Sequence, residues 1–69
     1  MKRTPPVRIV RRALGPIQEE FSARYRIPLG TLRDWERGRS EPNQPAKAYL
    51  RVIATEPAVI AKALERPAA

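Results

Sequence analysis

The sequence predicts an all-α fold, a compact five-helix bundle. Three observations carry that expectation. Pro and Gly cut the chain into segments too brief to be stable alone, which is how helices look when they survive by packing on one another. Inside the segments, apolar residues recur three and four apart, the period of a helix buried on one side. No Asn-Gly or Asp-Gly lies between alternating apolar runs, so hairpin signals are missing, and no internal repeat or low-complexity stretch is present.

The elements follow in order. PPVRIVRRALG opens on prolines suited to a helix start, carries Val7, Val10 and Leu14 on one face, and is stopped by Gly15. QEEFSARY forms a second helix of about two turns, with acidic residues at the positive end of its dipole and Phe21 and Tyr25 four apart. Ile27 and Pro28 break that run, because proline disfavours helix in the residue before it, and Pro28 can open the next helix at its first position. The third helix covers Leu29 to Arg37 and ends at Gly38, the residue that most easily takes up a left-handed cap. GRSEPNQP is a loop or short cap. From Pro45, AKAYLRVIA places Leu50 and Ile53 three apart with Tyr49 and Val52 alongside, which suits a buried fourth helix. Thr55 has a side chain fit to cap a fifth, with Pro57 just inside it and Val59, Ile60, Ala63 and Leu64 as its apolar face. Residues 1–5 are expected to form a disordered or extended arm, 6–66 the folded domain and 67–69 a frayed end.

Composition narrows the function. A chain of 69 residues has room for one domain, near the lower limit for a core without staples. Cys and His are absent, which removes disulfides, thiol nucleophiles, most zinc sites and the commonest general base. No enzyme, cofactor or metal site is therefore expected, and no catalytic residue is assigned. Glu19 and Glu20 are neighbours on a helix and do not face each other, so they suit a helix dipole and surface charge rather than acid-base work. An apolar fraction of 42% argues against disorder, and the lack of a long apolar run argues against a membrane partner. Thr4, Pro5 and Pro6 stand where a secretory signal would need apolar residues, so the expected location is cytoplasmic. With 14 Lys and Arg against 7 Asp and Glu the net charge is +7, and the pI of about 11.1 points to an anionic partner. Through Ser40 there are 10 basic against 4 acidic residues, and beyond it 4 against 3, so the charge sits in the part of the chain that ends with the third helix and its cap. Most of the cations are Arg, which suits bidentate contacts to phosphate and guanine.

Two short helices joined by a tight turn in a basic domain already match a helix-turn-helix unit. The stretch QEEFSARYRIPLGTLRDWERGRSEP, residues 18–42, resembles the Cro/C1-type (XRE) helix-turn-helix family. That motif opens with Gln near the head of its second helix, reaches a small residue, turns, and closes with Trp or Leu followed by Glu, Gly and Pro. Gln18, Phe21, Ser22, Ile27, Leu32, Trp35, Glu36, Gly38 and Pro42 fall on the pattern. The likeness extends through helices one, four and five, and implies a bundle of the lambda-repressor-like DNA-binding type. PLGTLRDWERGR followed by PNQPAKAYLRVIATEP looks most like the HigA-type antitoxin and stand-alone regulator branch. The resemblance also implies an ion pair from Glu36 to the matching basic residue of helix one, Arg11, and phosphate contacts from Gln18, Arg39 and Lys47.

The chain departs from the family at several positions. Arg26 stands where the turn commonly has Gly, and a left-handed conformation there is costly for a residue with a Cβ, which leaves a different turn geometry open. Ile17 and Pro28 replace polar caps, so the first N–H groups of helices two and three need other acceptors, DNA phosphates among them. Ser22 replaces the more usual Ala at the close contact of the two helices and is small enough to fit.

At about 100° per residue, helix three divides. Leu32, Trp35 and Glu36 face the domain, with Trp35 as a core anchor rather than a base-stacking residue. Gly30, Arg33, Asp34 and Arg37 face away, with Leu29 and Thr31 on the flanks. These six are the expected base-contacting residues. Arg33 and Arg37 can donate in pairs to guanine O6 and N7, and Arg33, nearer the helix start, is the better placed reader. Asp34 can accept from cytosine N4, or simply orient Arg37 three residues on. Leu29 and the Thr31 methyl suit thymine methyls. Gly30 costs roughly 1 kcal/mol of helix propensity, which close approach to a groove wall would offset. Arg12, with Arg3 and Arg8, can extend the phosphate-binding patch.

The expected function is a sequence-specific double-stranded DNA-binding regulator, a repressor in the simplest form, with helix three in the major groove. The alternative is an antitoxin that binds a toxin protein and autoregulates its operon. Val59, Ile60, Ala63 and Leu64 are the candidate homodimer surface, or else helix five packs on its own core.

Overall fold

A computed structural model describes residues 6–65, so the arm expected at 1–5, Arg3 with it, and the end expected to fray at 67–69 lie outside the described residues. Five helices follow one another: α1 Val7–Leu14, α2 Gln18–Tyr25, α3 Leu29–Arg37, α4 Gln44–Thr55 and α5 Pro57–Glu65. No strand occurs among the described residues. α1 packs on α3 and α4, α2 on α3 and α5, and α4 on α5. The core formed between them contains Val7, Phe21, Tyr25, Ile27, Leu32, Leu50 and Ile53, with Leu14, Trp35, Tyr49, Ile60, Ala61 and Leu64 packed around it. Val10 is buried as well. The rings of Phe21 and Tyr25 meet at 4.9 Å between centroids, tilted by 56°, a favourable aromatic arrangement. Tyr49 Oη donates to the Tyr25 carbonyl at 2.7 Å, which ties α4 to the last turn of α2. Its burial pushes the Tyr49 hydroxyl above the ordinary tyrosine pKa.

The turn between α2 and α3 keeps the left-handed geometry despite its arginine. Arg26 sits at φ 55°, ψ 42°, the one non-glycine residue at positive φ among those described. Its N–H and that of Ile27, the latter at 3.1 Å, both reach the Ser22 carbonyl, so the end of α2 is closed by backbone bonds. Ser22 is more than small: its hydroxyl donates to the Ile27 carbonyl and clamps the turn from the other side. Ile27, which ends the run of α2 in the sequence and falls on the family pattern, is thereby turned into the core and is 5% exposed. Arg26 also donates from Nη2 to the Leu64 carbonyl, at the end of α5 where helix carbonyls lack partners. We expect Arg26→Gly to be more stable than Arg26→Ala by about 1 kcal/mol, because both lose the side chain's contact with α5 and only alanine keeps the left-handed strain. Thermal melts would show this as a higher midpoint for the glycine variant, and equal midpoints would place no strain at the turn.

Three sequence expectations need correction. α4 begins at Gln44, one residue before Pro45, because the Asn43 side chain accepts from the Ala46 N–H at 2.9 Å and caps it. Thr55 does not cap α5: it is the last residue of α4, its hydroxyl donates back to the Arg51 carbonyl at 2.9 Å, and Glu56 separates the helices. The apolar face of α5 matches the expected one only at Ile60 and Leu64. Ile60, Ala61 and Leu64 pack on the core, while Val59 is 58% exposed and Ala63 is exposed. The expected dimer surface is therefore split between core and solvent, because the angle at which α5 docks on α2 and α4 turns Ala61 inward in place of Ala63.

Candidate nucleic-acid interface

α3 is held to the domain along one side. Leu32 is fully buried, Trp35 packs against the core, and the Glu36 side chain is 5% exposed. Arg11 grips Glu36 with two parallel hydrogen bonds, Nε to Oε2 at 2.7 Å and Nη2 to Oε1 at 2.9 Å, which is the pair implied for these positions. A third donor, Arg11 Nη1, reaches the Pro16 carbonyl at 3.2 Å, so one guanidinium fastens α3 and the α1–α2 connection to α1. The bond from Arg11 holds the Glu36 carboxyl below its ordinary pKa; burial opposes this, and the Gln18 hydrogen bond with the charges of Arg11 and Arg8 supports it.

The opposite side of α3 is open. Gly30 and Arg37 are exposed, and Leu29, Thr31, Arg33 and Asp34 are half-exposed. The helix starts at Pro28 with no side-chain cap, so the N–H groups of its first turn are not served by a capping side chain. A Cβ placed on Gly30 would meet nothing within 4 Å, so no contact inside the chain requires a glycine there. At the far end Gly38, at φ 78°, lets the chain leave the helix, with its own N–H and that of Arg39 closing back on Trp35 and Asp34. Arg39 is exposed just beyond this cap, Arg12 is exposed in the last turn of α1, and Lys47 is half-exposed in the first turn of α4. No ion pair joins Asp34 to Arg37 within 4 Å among the described residues, so the carboxylate does not hold that arginine here.

The start of α2 differs from that of α3. Glu20 Oε1 accepts the Ile17 N–H at 3.1 Å, half of a capping box whose other half Ile17 cannot supply. The structure also unites residues that lie apart in the chain. Gln18 donates from Nε2 to Glu36 Oε1 at 3.1 Å and accepts on Oε1 from Arg33 Nε at 3.4 Å. Arg33 Nη2 lies 3.5 Å from Glu19 Oε2. Arg33 is thus engaged by α2, a link between residues 15 apart that no local periodicity reveals. Among the described residues no group of three acidic side chains is placed to hold a metal ion, and no helix is long and apolar enough to cross a membrane.

No protein-family model and no curated protein matches the chain. Among solved structures, a crystal structure of an HTH XRE-family-like protein from Agrobacterium tumefaciens matches at 67% sequence identity with a TM-score of 0.86, over 88% of this chain and 98% of that one.

Proposed function

This chain belongs to the XRE-like helix-turn-helix family, and from that premise we propose that it is a sequence-specific regulator of transcription that lays α3 in the major groove of double-stranded DNA and represses by occluding a promoter. The observation that carries the reading is the division of α3: Leu32, Trp35 and Glu36 anchor it, while Gly30 and Arg37 are exposed and Leu29, Thr31, Arg33 and Asp34 half-exposed on its other side. Its uncapped N-terminus attracts phosphate oxygens, and the open space around Gly30 supports close approach of the helix to the groove. Arg12, Gln18, Arg39 and Lys47 fit the role of phosphate contacts that fix the register of the helix. Binding as a homodimer on an inverted repeat would place half-sites roughly 34 Å apart. Val59 and Ala63, exposed on α5, are the apolar positions left for the second copy.

Selection of bound duplexes from a random pool tests the reading, followed by salt-dependent binding of variants to the selected and a random duplex. Arg33→Ala is expected to lose about 1 to 3 kcal/mol and to relax one base position, whereas Arg39→Ala weakens all sequences alike and flattens the salt slope. Gly30→Ala is expected to melt higher, by the roughly 1 kcal/mol of helix propensity it gains, and yet to bind both duplexes less tightly. Equal losses on both duplexes for Arg33→Ala would sink the base-reading role.

A further inference from the structure

We propose that Glu19 and Gln18 are positioning residues that present one fixed edge of Arg33 to a guanine, so that α2 contributes to sequence preference without touching a base. The inference rests on the DNA-reading role of α3 and adds a second helix to it. A guanidinium carries its five N–H bonds in a rigid planar fork with two usable edges. One edge is made of Nε and one hydrogen of Nη2, the other of Nη1 and the second hydrogen of Nη2. In Arg33 the Nε of the first edge donates to Gln18 Oε1 at 3.4 Å, and Nη2, which both edges share, lies in an ion-pair contact 3.5 Å from Glu19 Oε2. The second edge remains, and two parallel donors are what guanine O6 and N7 accept.

The orientation of Gln18 is itself determined. Glu36 only accepts and Arg33 only donates, so the amide nitrogen must face Glu36, at 3.1 Å, and the amide oxygen must face Arg33. Glu36 in turn is fixed by the two hydrogen bonds from Arg11. An unbroken chain of polar contacts therefore runs from α1 through the buried carboxylate to the reading arginine. A long side chain held before binding loses less freedom when it docks, and it resists swinging to a phosphate instead. The Arg33 and Glu19 side chains remain 40% and 60% exposed, so the pair is well solvated and its effect is correspondingly modest.

The test compares wild type, Glu19→Ala, Arg33→Ala and the double variant on the selected duplex and on its single-base substitutions at the position where Arg33→Ala loses its preference. Because Glu19 is exposed, the variants are expected to fold, which helical circular dichroism and melting check. Glu19→Ala is expected to lower the preference for guanine about two- to fivefold while binding random duplex at least as tightly as wild type, since an acid near the phosphates has been removed. In the Arg33→Ala background the same change is expected to leave the preference untouched, a dependence that a general effect on α2 would not produce. If Glu19→Ala tightens every duplex equally with the guanine preference intact, or lowers the preference equally without Arg33, the positioning role is overturned while α3 remains the reader. A wild-type protein that selects no sequence overturns the reading role of α3 itself, and this inference with it.

Discussion

Glu36→Gln is expected to destabilise the domain by about 3 kcal/mol or more, because it leaves Arg11 as a largely buried charge without its counterion. The Arg11 and Glu36 side chains are 13% and 5% exposed. At roughly 0.05 to 0.15 kcal/mol per residue, a domain of this size has only a few kcal/mol in hand, so the variant would populate the unfolded state visibly at room temperature. Arg11→Met in the same background is expected to recover part of the loss, since it removes the orphaned charge. The pair also sets a pH limit. The hydrogen bond from Arg11 lowers the carboxyl pKa in the folded state relative to the unfolded chain, so the stabilisation is present in full above the ordinary glutamate value of about 4.3 and disappears as pH falls through the lower folded value. Denaturant titrations from pH 7 to pH 3 should show wild type losing stability on the acid side more steeply than Glu36→Gln. Parallel acid limbs in the two proteins would contradict the assignment.

Neighbouring positions on α3 should behave in opposite ways. Leu32 is fully buried, and truncation to alanine is expected to cost about 2 to 5 kcal/mol through lost transfer energy and the cavity left behind. It should leave base preference unchanged, because a reduced folded fraction scales the affinity for every duplex by the same factor. Arg33→Ala should do the reverse, altering the ratio between duplexes and barely moving the melting midpoint. Melting curves and the ratio of affinities for selected and substituted duplexes separate the two effects. A change of preference in Leu32→Ala after correction for folding would mean that packing and reading are not divided between the two sides of the helix.

The ends and faces of the helices were legible wherever the determining interaction is local. Gly15 and Gly38 adopt positive φ at the ends of α1 and α3, where an L side chain is strained, so their positions can be read from residue type. Phe21 with Tyr25, and Leu50 with Ile53, are buried because spacing of three or four places them on one side of a helix. Arg26 shows where such rules lose force: its left-handed conformation is retained against its own preference because Ser22 bonds on both sides of the turn and Arg26 reaches α5. Thr55 fails for a related reason, since its hydroxyl can serve the carbonyl behind it as well as an N–H ahead. Ala61 rather than Ala63 faces inward because the docking angle of α5 belongs to α2 and α4 as much as to α5.

By itself the sequence determined a basic bundle of five short helices with α3 amphipathic and its arginines on the outer side, because helix period, glycine caps and proline breaks act within a few residues. Only the tertiary structure decided which of those arginines is engaged. Arg33 meets Gln18 across 15 residues, a contact the sequence does not name, whereas the pairing of Glu36 with Arg11 across 25 is implied by the family resemblance and not by any local rule. Whether polar side chains so far apart in the chain come within hydrogen-bond reach depends on how α1, α2 and α3 cross, and that is set by packing around Phe21, Leu32 and Leu50 rather than by any property of the residues that meet.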